Sequence, residues 1–332
     1  MHLRVKAGRL TDQTMEKTIS AFKKATILHN PGAGEGDTSR KELLHAMELA
    51  GFECSYSSTK QFGWENMDTA DTDFLVLAGG DGTVRKIAEE MLSRKLIEKK
   101  LPLGLLPMGT ANNIAKTLGL CAKIDDIVAG WRKGVIKKFD VGVIKGPGRE
   151  GFFLESFGYG LFPRLMREMK KQKKNDIEDS RERLQAALQL LGELTESAPV
   201  RKCRLEIDGQ DHSGEYILVE VMNTRSIGPN VMLVPQADPG DGKLEVIAVR
   251  DDERQKLIDY VNQRLKGIDA RCEFPALEAR EKLVILWDGK HMHVDDDFDK
   301  IDKAERMDVQ IRRGLLDFLV PDLPADFCGI KF

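Results

Sequence analysis

The sequence predicts an α/β domain with a parallel sheet, followed by a mostly antiparallel β domain. Two observations support this division. Between Ala25 and Arg132, short apolar runs alternate with helical patterns, which is typical of βαβ units and a parallel sheet. After Phe139 the chain carries a series of short strand-like runs, which is typical of antiparallel β structure. A length of 332 residues is sufficient for two domains.

The first domain is predicted to cover residues 22–137. Apolar runs at Ala25–Leu28, Phe74–Ala78 and Leu103–Leu106 predict its strands, and each strand is followed by a turn and a helical pattern. The helix after Gly82 has the clearest pattern, because its apolar residues recur at i, i+3, i+4, i+7 and i+8 and form one stripe against the sheet. These residues are Val84, Ile87, Ala88, Met91 and Leu92.

The second domain is predicted to cover residues 138–314, with a helical insertion at 161–197. A charged helical pattern extends from Leu161 to Leu194, and another helix is predicted from Glu253 to Leu265. The closing segment 315–332 contains one more apolar run and could return to the first domain. The predicted strands are Phe139–Ile144, Phe152–Phe157, Arg201–Ile207, Tyr216–Met222, Leu244–Val249, Lys282–Trp287 and Met307–Ile311.

The charge composition argues against nucleic acid as a partner. The chain has 51 Lys and Arg against 54 Asp and Glu, a formal net charge of -3 and a pI near 6.2, so it lacks the general positive field that binds a phosphate backbone. No apolar run approaches the roughly 18 residues that span a bilayer, and the N-terminal region lacks a secretory apolar segment. The sequence therefore predicts a cytoplasmic protein.

The most informative segment is the turn Gly79, Gly80, Asp81, Gly82 and Thr83, between a buried-looking strand and an amphipathic helix. Glycines allow backbone N–H groups to approach an anion, and a helix N-terminus supplies further donors. A carboxylate repels phosphate unless a cation lies between them, so Asp81 fits Mg²⁺ ligation better than direct nucleotide contact. The alternative is a tight turn in which Asp81 only caps the helix.

Two further strand-to-helix turns have a similar composition. Three such turns at one sheet edge would form one crevice, and ligands bind in such crevices of open α/β sheets. The turns match neither a P-loop nor a G-x-G-x-x-G fingerprint. The prediction of a bound nucleotide therefore depends on the three turns occurring together at one sheet edge. The turns are Asn30, Pro31, Gly32, Ala33 and Gly34 after the first strand, and Pro107, Met108, Gly109, Thr110, Ala111 and Asn112 after the third.

The three turns resemble motifs of the diacylglycerol kinase catalytic-domain family, which includes bacterial lipid kinases, sphingosine kinases and ceramide kinases. The resemblance extends into the second half of the chain. There Asp238–Leu244 is similar to the family's Asp-Pro-x-Asp-Gly-x-Leu segment, and Asp288-Gly289 stands where the family carries Asp-Gly-Glu. The N-terminal motifs are Asn30-Pro31-x-x-Gly34, Gly79-Gly80-Asp81-Gly82-Thr83 and Gly109-Thr110-x-Asn112.

The resemblance implies a Rossmann-like nucleotide-binding domain, similar to those of NAD kinases and diacylglycerol kinases, facing an antiparallel β-sandwich domain. It implies ATP and Mg²⁺, and transfer of the γ-phosphate to the hydroxyl of a diacylglycerol-like or sphingoid lipid at the membrane surface. Asp81 would organise the catalytic Mg²⁺. Asp241, with backbone oxygens of Asp238 and Lys243, would hold a structural Mg²⁺, and the alternative there is a solvated acidic turn. The nucleotide would be bound by Asn30, Pro31, Gly32, Gly34, Thr59, Gly79, Gly80, Asp81, Gly82, Thr83, Gly109, Thr110 and Asn112.

Asp288 is the candidate proton acceptor, because phosphoryl transfer needs an acceptor aligned with the attacking hydroxyl. Asp-Gly between two strand-like runs is also typical of a two-residue β-hairpin, so a structural role stays open. Lys290 replaces the Glu of the family's Asp-Gly-Glu. An ammonium is a poor proton acceptor but can bind phosphate or an anionic headgroup. One alternative is therefore a catalytically impaired nucleotide- or lipid-binding regulator. A separate alternative is a NAD kinase-like kinase of a soluble metabolite.

A basic helix predicts a peripheral position at the inner membrane surface. Cations interleaved with apolar residues are typical of an interfacial helix, although a solvated helical face is the alternative. We interpret His291 and His293, which precede Asp295–Asp297, as exposed alternation on a strand rather than as a metal site. A homodimer stays open. The cations of the helix are Arg164, Arg167, Lys170, Lys171, Lys173 and Lys174.

Overall fold

The computed structural model describes residues 21–33, 38–66, 69–93, 101–171, 179–271, 274–301 and 304–323. The first strands are β1 (Lys24–His29), β2 (Glu53–Ser58), β3 (Phe74–Gly79) and β4 (Leu103–Pro107), and the first helices are α1 (Arg40–Leu49), α2 (Asp81–Ser93), α3 (Asn113–Thr117) and α4 (Ile124–Gly130). The four strands are parallel, in the order β2–β1–β3–β4. This arrangement confirms the predicted α/β architecture with a parallel sheet.

The strand register brings the predicted turns to one edge of this sheet. His29 at the end of β1 lies beside Ala78 of β3 and Ser58 of β2. Gly79 at the end of β3 lies beside Pro107 of β4. Every side chain of β3 is buried, as expected of a strand in a sheet covered on both faces. The turns that follow the four strands therefore start from the same sheet edge.

The second part of the chain is mostly antiparallel. Its six-stranded sheet has antiparallel pairs throughout. The strand order is Leu277–Ala279, Leu244–Val249, Leu218–Met222, Ser156–Gly160, His291–Val294 and Asp297–Lys300. In the described part of the chain, none of the helices combines the length and the apolar content needed to cross a bilayer. The remaining elements are β5 (Val135–Gly146), β6 (Arg149–Phe153), β7 (Ser156–Gly160), α5 (Leu161–Lys171), α6 (Ser180–Glu196), β8 (Arg201–Ile207), β9 (Gln210–Asp211), β10 (Gly214–Tyr216), β11 (Leu218–Met222), β12 (Ser226–Ile227), β13 (Val231–Met232), β14 (Leu244–Val249), α7 (Arg254–Leu265), β15 (Leu277–Ala279), β16 (Leu283–Trp287), β17 (His291–Val294), β18 (Asp297–Lys300) and β19 (Arg306–Val320).

The long strand β19 connects the two parts of the molecule. It runs parallel to β4, with Phe318 beside Leu103, and antiparallel to β5 and β16. The sequence predicts separate runs at Met307–Ile311 and after residue 314, whereas the structure has one strand with a register shift between Arg312 and Leu316. Gly314 takes a left-handed conformation there, at φ 54°, which explains the break in the pattern.

Three groups of buried apolar residues hold these layers together. The first lies around the parallel sheet and its helices, and includes Ile87, Trp131 and Phe318. The second lies between the six-stranded sheet and helices α5, α6 and α7. The third joins β7, β11 and β14 of that sheet to β8, β16 and β19 of the larger sheet. Two antiparallel layers therefore share one core, as in a β-sandwich.

We expect the Phe318→Ala variant to lose about 3 to 5 kcal/mol of unfolding free energy, because the ring is buried and removing it leaves a cavity. Phe318 is 1% exposed, and its ring centroid lies 4.9 Å from that of Phe139. Urea titration measures the loss. Val135→Ala on the adjacent β5 is the control, because Val135 is 54% exposed and its truncation should cost less than about 1 kcal/mol. Equal losses in both variants would contradict the packed position of β19.

Candidate functional site

A cavity of about 680 Å³ opens at the sheet edge where β1 to β4 end. It is lined by nine of the residues predicted to bind a nucleotide: Asn30, Gly32, Thr59, Gly80, Asp81, Gly82, Thr83, Gly109 and Thr110. Pro31, Gly79 and Asn112 belong to the same turns without lining the cavity, and Gly34 lies outside the described residues. The structure thus brings the three separate turns into one site, which is called the glycine-lined cavity below.

Two of the turns touch each other through their backbones. A Cβ atom on Gly109 would lie 2.5 Å from the Cα of Gly80, and one on Gly80 would lie 2.9 Å from the Cα of Gly109. The backbone N–H of Met108 donates to the carbonyl of Gly79 at 2.9 Å. Both positions therefore require glycine, because backbone atoms cannot move aside as a flexible side chain can.

Side chains of the turns fix this contact. Asn30 Nδ2 donates to the Thr83 hydroxyl at 3.1 Å, and Asn30 Oδ1 accepts from the Gly32 N–H at 3.1 Å. Asn112 has φ 52°. Its side-chain amide accepts from the N–H of Gly109 at 2.8 Å and donates to the carbonyl of the same residue at 2.7 Å. Left-handed Asn residues commonly form such local hydrogen bonds, which here hold the Gly109 turn in shape.

Asp81 links the turn after β3 to the helix after β4. Its two carboxylate oxygens accept from the backbone N–H groups of Asn113 at 2.9 Å and Ile114 at 3.0 Å. Asp81 therefore caps α3, not the helix α2 to which it belongs. Burial raises the pKa of Asp81, although the two amide hydrogen bonds act in the opposite direction. Each oxygen retains a lone pair, so the same carboxylate could also serve a cation in the cavity.

Three more carboxylates lie near Asp81, those of Glu155, Asp295 and Asp296. Glu155 is 7% exposed and lines the cavity. Burial raises its pKa well above the ordinary value, and the nearby carboxylates of Asp81 and Asp295 add to the shift. Carboxylates therefore stand close together on this part of the glycine-lined cavity, whose other lining residues include Lys60, Lys86 and Arg183.

Asp295 is committed to holding backbone in place. Its carboxylate accepts from the N–H groups of Leu154, Glu155 and Ser156, at 2.8 to 3.2 Å. Arg85 Nη1 pairs with Asp295 Oδ2 at 2.9 Å. With these partners Asp295 has a structural role, and it fixes the link between β6 and β7 against the turn between β17 and β18.

The next residue, Asp296, is freer. Its side chain is 58% exposed, lines the cavity, and lies next to the α2 N-terminus, where a Cβ on Gly82 would meet its Oδ2 at 2.6 Å. Partial burial raises the pKa of Asp296, and the charges of Asp297 and Asp295 act in the same direction while Arg85 opposes them. A carboxylate with a raised pKa facing a cavity is a candidate proton acceptor.

A buried ion pair contacts the turn between β17 and β18. His293 and Glu220 are both fully buried, with His293 Nε2 2.8 Å from Glu220 Oε2. His293 Nδ1 lies 3.0 Å from the backbone carbonyl oxygen of Asp295, which can only accept, so Nδ1 carries a proton. Burial disfavours the charged imidazole, but the Glu220 carboxylate outweighs it and raises the pKa of His293. The interpretation of His293 as exposed is therefore corrected: it packs inside, between two sheet neighbours.

Asp288 does not line the glycine-lined cavity. It lies, with Gly289 and Lys290, in the connection from β16 to β17 and lines a separate cavity. The hairpin alternative also fails, because β16 pairs with β8 and β19 whereas β17 pairs with β7 and β18. Of these two carboxylates, Asp296 lines the glycine-lined cavity and Asp288 does not. Lys290, correspondingly, does not replace a carboxylate in this site.

The predicted structural metal loop lies outside the cavity as well. Asp238 Oδ1 is 3.0 Å from Lys137 Nζ, and Asp241 Oδ1 accepts from the backbone N–H of Lys243 at 3.1 Å. The Lys243 ammonium pairs with Glu278 at 2.6 Å. Within the described ranges, no group of three or more His, Cys, Asp or Glu side chains is arranged to hold a metal. A structural Mg²⁺ in this loop stays a prediction.

One wall of the glycine-lined cavity is apolar. It is formed by the inner faces of α5 and α6, and by the segment after β12. The exposed Lys60 and Lys86 stand on the opposite, polar side. The apolar lining residues are Phe162, Leu165, Met166, Met169, Leu184, Ala187, Ile227 and Pro229. The apolar wall and the glycine turns thus line one continuous cavity.

Comparison with known proteins agrees with this description. Residues 24–144 match the family described as "Diacylglycerol kinase catalytic domain", and residues 168–296 match "YegS C-terminal NAD kinase beta sandwich-like domain". A diacylglycerol kinase of Bacillus subtilis is 26% identical over 291 residues, 81% of this chain and 90% of that protein. One of Mycobacterium tuberculosis is 27% identical over 234 residues, 68% of this chain and 71% of that protein.

Solved structures show the same fold. A diacylglycerol kinase from Bacillus anthracis aligns with a TM-score of 0.66 at 21% identity, covering 91% of this chain and 98% of that one. A NAD kinase from Archaeoglobus fulgidus in complex with ATP aligns with a TM-score of 0.50 at 12% identity, over 90% and 94% of the two chains. The chain therefore has the fold that these two solved structures share.

Residues 24–144 belong to the diacylglycerol kinase catalytic-domain family, and relatives named diacylglycerol kinase align with most of the chain. The family matches and the curated relatives confirm the predicted family and the predicted enzyme class, a lipid kinase. The β-sandwich expected of the second domain is confirmed by the match over residues 168–296 and by the antiparallel sheet.

We expect Glu155→Gln to stabilise the ligand-free protein increasingly as pH rises. The folded-state pKa of Glu155 lies above its ordinary value of 4.5, so the unfolded chain releases this proton first. Wild-type stability therefore falls as pH rises from about 4.5 through the folded-state pKa. A shift of one pKa unit corresponds to about 1.4 kcal/mol, and urea unfolding at a series of pH values from about 5 to about 8 should show the advantage of Glu155→Gln over wild type growing with pH.

Glu150→Gln is the matched control for this measurement. Glu150 is exposed on β6, pairs with Lys145 at 2.7 Å, and has a lowered pKa. Its removal should give a small effect of the opposite sign, because a carboxylate with a lowered pKa contributes stability that appears as pH rises. A pH-independent difference between wild type and Glu155→Gln would contradict the shifted carboxylate.

Proposed function

We propose that the protein is an ATP- and Mg²⁺-dependent lipid kinase that transfers the γ-phosphate to the hydroxyl of a diacylglycerol-like or sphingoid lipid. One observation carries the proposal. The glycine-lined cavity joins the three glycine-containing turns to an apolar cleft, and several carboxylates are among its lining residues. The site therefore combines surfaces suited to a triphosphate and to a greasy alcohol within one space.

The polar side of the cavity fits a nucleotide. Gly80 and Gly109 leave no space for a side chain between the turns, so backbone groups form the wall, as in other phosphate cradles. Thr83 at the start of α2 adds a hydroxyl next to the helix N-terminus. Lys60 and Lys86 line the same side and supply positive charge for phosphate oxygens.

The carboxylates fit Mg²⁺ in number and chemistry. Mg²⁺ commonly takes one or two carboxylates, and phosphate oxygens and waters complete its shell, so a cluster of three protein ligands is not required. Asp81 and Glu155 would hold the ion. Burial is the main cause of their raised pKa values and nearby carboxylates add to it, so a bound cation would favour the ionised forms. When bound, Mg²⁺ would neutralise charge that develops on the phosphates during transfer.

Asp296 is the residue that we assign to the attacking hydroxyl. It reaches the cavity at the N-terminus of α2, whereas the adjacent Asp295 is fully occupied by three backbone N–H groups and Arg85. Partial burial and the charges of Asp297 and Asp295 raise the pKa of Asp296, which makes it a stronger proton acceptor than an ordinary aspartate. The His293–Glu220 pair acts as a positioning device, because it holds the carbonyl of Asp295 and with it the turn.

The apolar wall supports a lipid rather than a soluble metabolite. A NAD kinase-like activity is the second candidate on fold alone, but Leu165, Met166 and Met169 offer no polar group to a nicotinamide ribose. Met169 is 42% exposed and Lys170 is exposed beside it, so the open end of the cleft combines apolar and cationic groups. Such a rim suits a peripheral position at a membrane surface.

Not every cation of the basic helix is available to lipid. Arg164 donates to the carbonyl of Ser197 at 3.0 Å, and Arg167 and Lys171 both pair with Glu168. Lys173 and Lys174 lie outside the described residues. The regulator alternative depended on Lys290, which lies in the separate cavity, so the geometry favours an active kinase.

Asp296→Asn should reduce kcat by about 10²- to 10⁴-fold, the usual contribution of a positioned proton acceptor. Asp288→Asn is the matched control and should leave kcat unchanged. Transfer of radiolabelled γ-phosphate to a panel of diacylglycerols, sphingoid bases and NAD measures both variants and identifies the acceptor. The reverse result, with Asp288→Asn inactive and Asp296→Asn active, would contradict the assignment. Phosphorylation of NAD alone would overturn the lipid proposal.

Gly109→Ala should weaken ATP binding about tenfold or more, because a distortion that removes about 1.4 kcal/mol of binding energy has this effect. The added Cβ would lie 2.5 Å from the Gly80 Cα and push the two turns apart. Gly151→Ala on β6 is the control, since its new Cβ would meet only Ile144 at an ordinary 3.5 Å. Calorimetry with ATP measures both. Unchanged affinity in Gly109→Ala would remove these turns from the nucleotide site.

A further inference from the structure

A second cavity, of about 510 Å³, lies on the other side of helix α5 from the glycine-lined cavity. It is formed by the start of α5, the end of α6, the start of β8 and the connection from β16 to β17. The two cavities share no lining residue. The proposed kinase reaction uses none of the residues that line the second cavity, so it does not explain why this cavity is present.

The second cavity is strongly cationic. Arg164, Arg167, Arg201 and Lys290 line it, against the single carboxylate of Asp288. His291 lines it too. Burial lowers the pKa of His291, and the charges of Arg167, Lys300, Lys290 and Lys171 lower it further. The lining residues therefore carry a net positive charge.

The cations are held in different ways. Arg164 is fixed by three hydrogen bonds at the end of α6, to the carbonyls of Leu194 and Ser197 and to the Ser197 hydroxyl, at 3.0 to 3.3 Å. Arg167 shares Glu168 with Lys171. Among the described residues, no side-chain hydrogen bond or ion pair is seen for Arg201 or Lys290, which are both exposed. Two cations of the site are thus anchored, and two are available to a ligand.

The floor of the second cavity is apolar and rigid. Leu161 and Ile217 are each 1% exposed and Trp287 is 2% exposed. The Trp287 ring stacks on Tyr159, with centroids 5.7 Å apart. A concave site with an apolar floor and convergent cations differs from a solvated helical face, which presents its charges outward. Its volume is within the range of small-molecule sites, roughly 300 to 1,000 Å³.

We propose that this second cavity is a binding site for a phosphate-bearing anion, recognised by Arg201 and Lys290 and by the anchored Arg164 and Arg167. Guanidinium and ammonium groups bind phosphate through charge-assisted hydrogen bonds. The same chemistry is offered by a free phosphomonoester and by the headgroup of a phosphomonoester lipid. The site is independent of the proposed kinase reaction, because it shares no residue with the glycine-lined cavity.

The test is a calorimetric titration of the full chain with inorganic phosphate, with glycerol 3-phosphate, and with phosphatidylcholine vesicles that contain or lack phosphatidate. The test variant is the double substitution Arg201→Gln, Lys290→Gln. It removes the two cations without a described partner and keeps Arg164, which supports α6. We expect the double variant to bind at least about tenfold more weakly, because each lost charge-assisted hydrogen bond contributes appreciably to affinity.

The matched control is Lys202→Gln, Arg312→Gln, which removes the same charge from exposed positions that line neither cavity. Binding of the soluble phosphates that falls only in the test variant supports the site and identifies a free anion. Binding seen only with phosphatidate vesicles, and lost only in the test variant, supports the site and identifies a lipid headgroup. No binding in any arm, or equal weakening in both double variants, would overturn the proposal. None of these outcomes depends on kinase turnover.

Discussion

The site depends on a contact between two turns that have no side chains at the point where they meet. Gly80 and Gly109 approach so closely that a Cβ on either would lie within 3 Å of the other's Cα. The Asp81 carboxylate completes the contact by accepting from the first two N–H groups of α3. Parallel pairing of β3 and β4 brings the turns together, and the glycines let them close. The other lining residues of the glycine-lined cavity are arranged around this backbone contact.

The second constraint is electrostatic. Burial raises the pKa values of Asp81, Glu155 and Asp296, and the neighbouring Asp295 carboxylate adds to each shift, while Arg85 pairs with Asp295. Such an arrangement costs stability in the absence of a ligand, and active sites commonly carry this cost. The buried His293–Glu220 pair and the three N–H groups on Asp295 hold the arrangement in place. A metal-bound triphosphate is the type of ligand that would relieve it.

The sequence predicts the glycine turns well but carries no local signal for the carboxylates that share their cavity, and both results have physical reasons. The turns after β1, β3 and β4 are local motifs whose glycines are required by close backbone approach, and parallel strands must end at one edge. Asp288 followed by glycine resembles such a motif, but β16 and β17 belong to different sheets, and pairing between distant strands leaves no local signal. At the turn that does reach the cavity, Asp295 takes the left-handed conformation, φ 51°, that a glycine usually marks. The burial of His293 likewise depends on Glu220, which is distant in sequence.

The central claim is that a single cavity receives the phosphates of a nucleotide and the hydroxyl end of a lipid. A crystal structure with Mg²⁺, a non-hydrolysable ATP analogue and a short-chain diacylglycerol tests it most directly. The account predicts the phosphates against the backbones of Gly80, Gly82 and Gly109, and the acyl chains between α5 and α6 with the hydroxyl near Asp296. Nucleotide bound at any other surface, or a lipid bound away from the apolar wall, would contradict it.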